Sequence, residues 1–577
     1  MPKILKLFSP GQRKTFFILL FFIIIASILE MLSLAIIVPI INLFLEIETS
    51  AKESNIAWIT NLIGFKDFSI SSILLFFIIF FSFKTIFSIF VSWKHHSFIY
   101  QFIDKISFNL YSKYLSQDYQ KSSLKNSSEL MRNILREIEV FSLYLLSFIQ
   151  IILESVILIG IFIFFLYLLT IPTLMVIFFS SFTAIIYYLL VKKNLLVWGK
   201  DRQKIEKDRI IYMQEAFSSI KEINVFNRNN FFLDRFKEKN RDFFKINTNF
   251  YFLNSIPRNI FELFTVVIIL FIFIYLVFTG SANQDIIKVI ALFLAASFRI
   301  IPSVYRIFNS LQNLKYSTAS FNVLYDDFKN LSVKEKPKNG QGLNFKKNIT
   351  LEIKKFNYDG ENSFQIKDIS LEIFKNQKIG IIGKSGSGKS TLIDILAGIL
   401  KDSVIKLKVD NKLIETEFDR FYWQKKIGLI PQNISIMNET LKENILFGLD
   451  KDQFPDEKII DAIKLSNLTS LLTKLPNGLE YIIKERGLNF SGGEIQRIGI
   501  ARALIFNPEI LIFDEATSAL DTFTENEILK DINLLKDKTI IMISHRMNSL
   551  RYCDKIFLID NGEIKDEGSF EKFNKIY

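Results

Sequence analysis

The residues with the clearest chemical pattern lie in the second half of the chain. An apolar run, Ile379-Gly380-Ile381-Ile382, leads into Gly383-Lys384-Ser385-Gly386-Ser387-Gly388-Lys389-Ser390 and then the helix-forming Thr391-Leu392-Ile393. This is G-x-x-x-x-G-K-[ST] in its required strand–loop–helix setting. The glycines let backbone N–H groups curl around phosphate oxygens, and the helix N-terminus adds a positive dipole. Lys389 would reach the outer phosphates of a nucleotide and Ser390 would ligate Mg2+. A second apolar run, Ile510-Leu511-Ile512-Phe513, ends in Asp514 and Glu515. Asp514 suits the outer side of a metal ion, and Glu515 could polarise an attacking water. Alone, the first pattern could be a glycine-rich turn and the second a strand end. Between them stands Asn489-Phe490-Ser491-Gly492-Gly493-Glu494, with Gln496 and Arg497 following on a helix, and one of only three histidines, His545, comes after both.

These groups need a scaffold that brings distant stretches together. From residue 345 onward, short β-rich runs (LEIKKF, KIGIIG, EILIFDE, KTIIMISH, KIFLID) alternate with helical stretches. That alternation predicts an α/β domain with a largely parallel sheet over 345–577. Before it, 331–344 contains VKEKPKNGQG, which has no apolar periodicity and reads as a linker.

Residues 1–330 are of another kind. The chain has 577 residues, half of them hydrophobic, and 60 are phenylalanine. Such apolar content excludes a disordered chain, and the single cysteine, Cys553, excludes a disulfide scaffold. Six apolar stretches approach the ~20 residues a spanning helix needs, near 16–45, 70–92, 142–169, 173–191, 260–278 and 286–310. The third and fourth are divided only by a turn around Thr170-Ile171-Pro172. No small-residue cleavage site follows the first run, so it reads as a retained anchor rather than a removed signal peptide.

The net charge of +12 is unevenly placed: residues 1–330 hold 34 Lys and Arg against 23 Asp and Glu, the remainder 37 against 36. The polar connection 192–259 alone carries 15 Lys and Arg, whereas the loop 46–69 has only Lys52 and Lys66 against four acids. By the positive-inside rule, the N-terminus and the long, polar, helix-like connections 93–141 and 192–259 face the cytoplasm. The excess charge is thus topological, and nucleic acid is not expected as a partner.

The order of P-loop, Gln432 after a strand, Ser-Gly-Gly signature, Asp-Glu strand and His545 resembles the ATPase domain of ABC transporters across 345–577. The resemblance implies ATP and Mg2+ as ligands and assigns roles. Tyr358 would stack on adenine, unless it is an ordinary core tyrosine. Gly383, Ser385, Gly386, Gly388, Lys389, Ser390 and Thr391 would hold the phosphates. Gln432 would sense the Mg2+ that Ser390 and Asp514 also serve, Glu515 would be the catalytic base, and His545 would contact the γ-phosphate. Ser491, Gly492, Gly493 and Glu494 would bind ATP held by a partner subunit, and Asp521 would link the two sites. The signature departs from its commonest form at Phe490 and Glu494, and Lys484 replaces a usual glycine before it. One P-loop and one signature per chain imply, by the resemblance, a homodimer with two equivalent sites, a heterodimer with a related half-transporter being the alternative.

The whole chain resembles an exporter-type ABC half-transporter: an all-α six-helix transmembrane domain (1–330) followed by a P-loop α/β ATPase domain. Coupling segments would then lie near 116–125 and 224–234. Within the spans, charge is expensive and faces a cavity or a partner. Lys84 interrupts span two, Arg258 follows Pro257 at the start of span five, and Arg299 and Arg306 lie seven apart on one face of span six. A cavity lined by these four cations would suit a phosphate or pyrophosphate head group. Arg258 could instead pair with Glu262 at i+4, and Arg306 could snorkel. The stretches 254–258 and 298–306, with the opening 7–14, resemble PglK-type flippases for lipid-linked oligosaccharides. The segment 56–65 resembles their external helix, though it could be an interfacial lid. The expected activity is ATP-driven flipping of an anionic lipid-linked substrate across a bacterial cytoplasmic membrane. Export of peptides or hydrophobic small molecules, and a non-transporting ABC ATPase, are the alternatives.

Overall fold

The computed structural model describes residues 7–44, 70–120, 126–280, 282–331, 342–357, 365–484, 487, 489–516 and 521–575. Tyr358, the segment 56–65, residues 121–125 of the first coupling segment and most of the linker lie outside them. Contacts divide the chain into two compact units, Met1–Gln117 with Lys125–Val333, and Asp118–Leu124 with Lys334–Tyr577.

The first unit is helical throughout its described residues. Helix α1 spans Pro10–Phe44 and α2 spans Ile70–Leu115; α3 (Ser127–Arg132) runs through a π turn, Asn133–Glu137, into α4 (Ile138–Leu168). Then follow α5 (Thr170–Ser218), the short α6 (Ile220–Val225), α7 (Asn229–Phe278) and α8 (Asn283–Asn330). Among the described residues six helices are long and apolar enough to cross a membrane. They outrun the apolar stretches: α5 has 49 residues and α7 has 50, about 75 Å at the helical rise. The polar connections are thus helical, as their composition suggests, and extend the spans, because their Lys, Glu, Gln and Arg residues are good helix formers. The turn expected at 170–172 occurs one residue earlier. Leu169 leaves helical geometry (φ −143°, ψ 75°), and Pro172 sits in the first turn of α5, where its missing N–H breaks no helical bond.

Helices α4 and α8 form the hub of this unit. Towards one end, Phe141, Leu145 and Phe321 pack with Phe16 and Ile23 of α1 and Ile99 and Phe102 of α2. Towards the other, Ile161, Phe165, Leu292 and Phe293 pack with Val176 of α5 and Ile272 of α7. Gly199 lets α5 approach α8 closely, since a Cβ there would sit 2.1 Å from the Tyr316 carbonyl oxygen. Many Phe, Ile and Leu side chains on α2, α5 and α7 are exposed, among them Ile86, Phe178, Leu190 and Leu263, the surface expected of spans bathed in lipid. Beside the π turn, buried Arg202 binds Glu137 at 2.9 Å, Ser320 at 2.9 Å and Glu206 at 3.4 Å, tying α5 and α8 to the turn.

The second unit has two sheets. One has the order β2-β1-β4-β5, all antiparallel, from β1 (Asn348–Phe356), β2 (Ile366–Phe374), β4 (Ile405–Val409) and β5 (Lys412–Leu413). The other has the order β10-β9-β3-β8-β7-β6, from β3 (Lys378–Ile382), β6 (Ile427–Ile430), β7 (Ile510–Asp514), β8 (Thr539–Ile543), β9 (Lys555–Asp560) and β10 (Glu563–Gly568). Only β10 is antiparallel in it. The expectation of a largely parallel sheet thus holds for one sheet, and the antiparallel one is the addition. The reason is visible in burial. Strands β7 and β8 are buried on both faces, as parallel strands under helices must be, whereas β2 alternates buried and exposed. Ile349, Leu351, Ile379, Leu392, Leu407 and Trp423 share the core between the sheets.

Candidate functional site

The chemistry-bearing residues of the second unit collect at the carboxyl ends of the parallel strands, where open α/β sheets bind ligands. The loop 383–388 follows β3 and opens α9 (Lys389–Leu396), with Gly386 at φ 79° and Gly388 at φ 106°. Gly383 passes so close to the end of β9 that a Cβ there would meet the Ile559 carbonyl oxygen at 2.2 Å. The Lys389 ammonium donates to the Gly383 and Lys384 carbonyls, each at 2.9 Å, which tethers it to the start of the loop. Burial lowers its pKa from the ordinary lysine value, while Glu515 and Asp514 oppose that fall.

Asp514 closes β7, with Ser390 Oγ 3.5 Å from its carboxylate. Burial raises the Asp514 pKa, and the charge of Glu515 adds to the rise. The next residue, Glu515, is held in the left-handed region at φ 51°, a conformation that strains a non-glycine residue and that concentrates at functional sites. Its carboxylate is gripped from two further strand ends: Gln432 Nε2, after β6, donates to it at 2.8 Å, and His545 Nε2, after β8, lies at 2.6 Å. Four strands of one sheet thus deliver Lys389, Ser390, Asp514, Glu515, Gln432 and His545 to one place.

The signature stretch stands at another helix start. Ser491 caps α10 (Gly492–Leu504) by accepting from the Glu494 backbone N–H, and the Glu494 carboxylate accepts in return from the Ser491 N–H at 2.7 Å. This reciprocal capping box explains why an acid can stand at Glu494: it closes the helix start. Asp521 similarly caps α11 (Thr522–Leu534), accepting from Thr524 N at 2.9 Å.

The donors fit a nucleotide with Mg2+. Ser387 Oγ is buried in the loop with no hydrogen-bond partner, and Gly383 has no room for a Cβ. Among the described residues no group of three His, Cys, Asp or Glu side chains converges as a metal cage. Ser390, Asp514 and Gln432 instead offer the few oxygens that Mg2+ takes alongside phosphates. The ion would neutralise charge developing on the phosphates. Glu515 would then accept a proton from water, oriented by Gln432 and His545.

The membrane unit holds a second candidate site, a cavity of about 460 Å3 lined by residues of α1, α2, α4 and α8. Lys84, Arg299 and Arg306 line it together. Arg258 does not: it is exposed on α7 and pairs with Glu262 at 2.9 Å, so the ordinary helix pair holds there and the four-cation cavity is reduced to three. The charge argument also passed over two acids. Glu30 on α1 bridges Lys84 at 2.9 Å and Arg299 at 2.7 Å, and Glu154 on α4 binds Arg306 at 2.5 Å and lies 3.9 Å from Arg299. The signal was present, since both acids interrupt apolar runs as the cations do. Lys84 also donates to Ser33 at 3.4 Å, and Gln150 to Glu154 at 3.0 Å; His95 and His96 complete one wall.

Comparison with known proteins agrees with both halves. Residues 16–301 match the family described as ABC transporter transmembrane region, and 366–518 the family described as ABC transporter. The mitochondrial iron-sulfur clusters transporter ATM1 of Saccharomyces cerevisiae is 29% identical over 411 residues, 67% of this chain and 57% of that protein. A putative multidrug export ATP-binding/permease protein of Staphylococcus aureus is 37% identical over 215 residues, 37% of each chain. The matched stretches therefore span between a third and three-fifths of these relatives. The structure of a bacterial Atm1-family ABC exporter with ATP bound superposes with a TM-score of 0.79 at 18% identity, over 98% of this chain and 96% of the other.

Proposed function

We propose that this chain, an ABC exporter half-transporter whose membrane domain is fused to its ATPase, is one subunit of an ATP-driven translocase in a bacterial cytoplasmic membrane. Its N-terminus and ATPase would face the cytoplasm, in keeping with the positive charge of the long connections. Two copies supply two composite sites, each pairing the phosphate loop of one protomer with the Ser491-Gly492-Gly493 helix start of the other. Support for hydrolysis comes from the convergence of Gln432 and His545 on Glu515 beside Lys389, Ser390 and Asp514.

The cargo we propose is an anionic amphipathic lipid conjugate, of which a lipid-linked oligosaccharide with a pyrophosphate bridge is one. The observation that carries this is the trio Lys84, Arg299 and Arg306 lining one cavity within the membrane unit. Three guanidinium or ammonium groups in a desolvated site recognise phosphoryl oxygens. The test is reconstitution into liposomes with fluorescent polyprenyl-pyrophosphate glycans. Wild-type protein should move them only with ATP, and Arg299→Ala should lose most of that movement. Failure of wild type to move them, or equal movement by the variant, removes the reading. Export of hydrophobic small molecules is the second reading, favoured by the multidrug-export relative and by the two carboxylates that offset the cavity's cations.

A further inference from the structure

The cavity charges alternate in one ladder: Lys84, Glu30, Arg299, Glu154, Arg306. They come from four helices, with Lys84 on α2, Glu30 on α1, Glu154 on α4 and both arginines on α8. Each carboxylate lies between two cations, the position a phosphoryl group would take to reach the same two cations. Glu30 presents one oxygen to Lys84 at 2.9 Å and the other to Arg299 at 2.7 Å. Glu154 presents one oxygen to Arg306 at 2.5 Å and the other towards Arg299 at 3.9 Å. The carboxylates are well shielded from solvent, with side-chain exposure of 12% for Glu30 and 2% for Glu154.

We propose that Glu30 and Glu154 are built-in competitors for the anionic head group, setting the cavity's specificity for a diphosphate and driving its release. This rests on the anionic-cargo reading above. A desolvated cation needs a counter-ion at every stage of a transport cycle, because leaving it unpaired is more expensive than any pairing it could make. The two carboxylates meet that need when cargo is absent. A monophosphate can displace one of them, whereas a diphosphate offers two adjacent anionic groups to the pairs Lys84/Arg299 and Arg299/Arg306 and can displace both. Return of the carboxylates expels the cargo, so the site binds well enough to load and weakly enough to unload. Gln150, which donates to Glu154, gives that carboxylate a neutral partner when it is displaced, and Ser33 accepts from Lys84.

The experiment uses the full chain in lipid nanodiscs, with fluorescent farnesyl diphosphate as probe, farnesyl monophosphate as comparison, and ATP hydrolysis as the check on folding. Glu30→Gln and Glu154→Gln should each bind the diphosphate about tenfold more tightly, since a competing charge is gone. Both should narrow the preference over the monophosphate, and in liposomes both should lower KM for the probe while slowing its turnover. Glu262→Gln, whose pair with Arg258 lies outside the cavity, should change nothing. If Glu30→Gln misfolds, the comparison becomes Lys84→Met against Lys84→Met/Glu30→Gln, where the double variant should bind more tightly. Equal binding by wild type and both Gln variants overturns the competitor role while leaving the cargo reading intact. Weaker binding by the variants also overturns it, because the acids would then position the cations rather than compete for them. Binding by the variants but not by wild type supports the competitor role while counting against the native cargo. Absence of binding throughout overturns both.

Discussion

The nucleotide site and the membrane cavity both gather charged side chains from distant stretches, by opposite means. In the ATPase unit, the phosphate loop, Asp514, Glu515, Gln432 and His545 hang from the ends of parallel strands whose register is set by backbone pairing. In the membrane unit, five charges from four helices meet only through their own side chains. A site built on a sheet edge announces itself as short motifs. A site built between helices shows only isolated charges in apolar runs, and their partners depend on how the helices pack.

The sharpest way to break this comparison is Glu515→Gln. Removing the carboxylate that Gln432 and His545 grip should lower ATP turnover by about 100- to 10,000-fold while nucleotide binding persists, checked by phosphate release and a binding assay. Substrate movement should stop with it; movement without hydrolysis would separate the two units' functions. The next effect is on the scaffold. Gly383→Ala would drive a Cβ into the Ile559 carbonyl, so it should destabilise the ATPase unit by about 1–3 kcal/mol, read as an earlier thermal unfolding transition.

A smaller effect separates the cations. Arg258→Ala should leave liposome transport within about twofold of wild type, because an exposed i,i+4 pair is screened by solvent and contributes little, whereas Arg299→Ala should not. Equal losses would restore Arg258 to the cavity. The smallest effect concerns Asp394, whose carboxyl is pushed up to about 6 by burial and by the charge of Asp514. A raised acid favours the folded state most below its unfolded pKa near 4, and that contribution is lost as pH rises through 6. Asp394→Asn should therefore flatten stability between pH 4 and 6 and gain about 1 kcal/mol at pH 7, screened by partial exposure, as measured by unfolding across pH.

Much of the fold was legible in advance for identifiable reasons. Six spans follow from apolar length alone, and the parallel core follows from the uninterrupted runs of β3, β7 and β8. What periodicity did not deliver was the antiparallel sheet, because β1 in isolation looks like any other β-rich run. The helix-like composition of 93–141 and 192–259 did show in the sequence, and α5 and α7 run as helix into the second of them. The capping role of Glu494 was readable from Ser491 three positions earlier, but the signature drew attention to the phosphate instead.

The sequence by itself determined the nucleotide chemistry, since a P-loop needs glycines, lysine and serine in fixed order on one continuous stretch. It also determined that a membrane domain precedes the ATPase, since apolar length has no other outlet. Only the tertiary structure decided which buried charges are partners. It moved Arg258 out to Glu262 and brought Glu30 and Glu154 in among Lys84, Arg299 and Arg306. The physical reason is that an ion pair between helices is fixed by their packing, in which residues 54, 145, 152 and 269 positions apart become neighbours, and no local pattern encodes that distance.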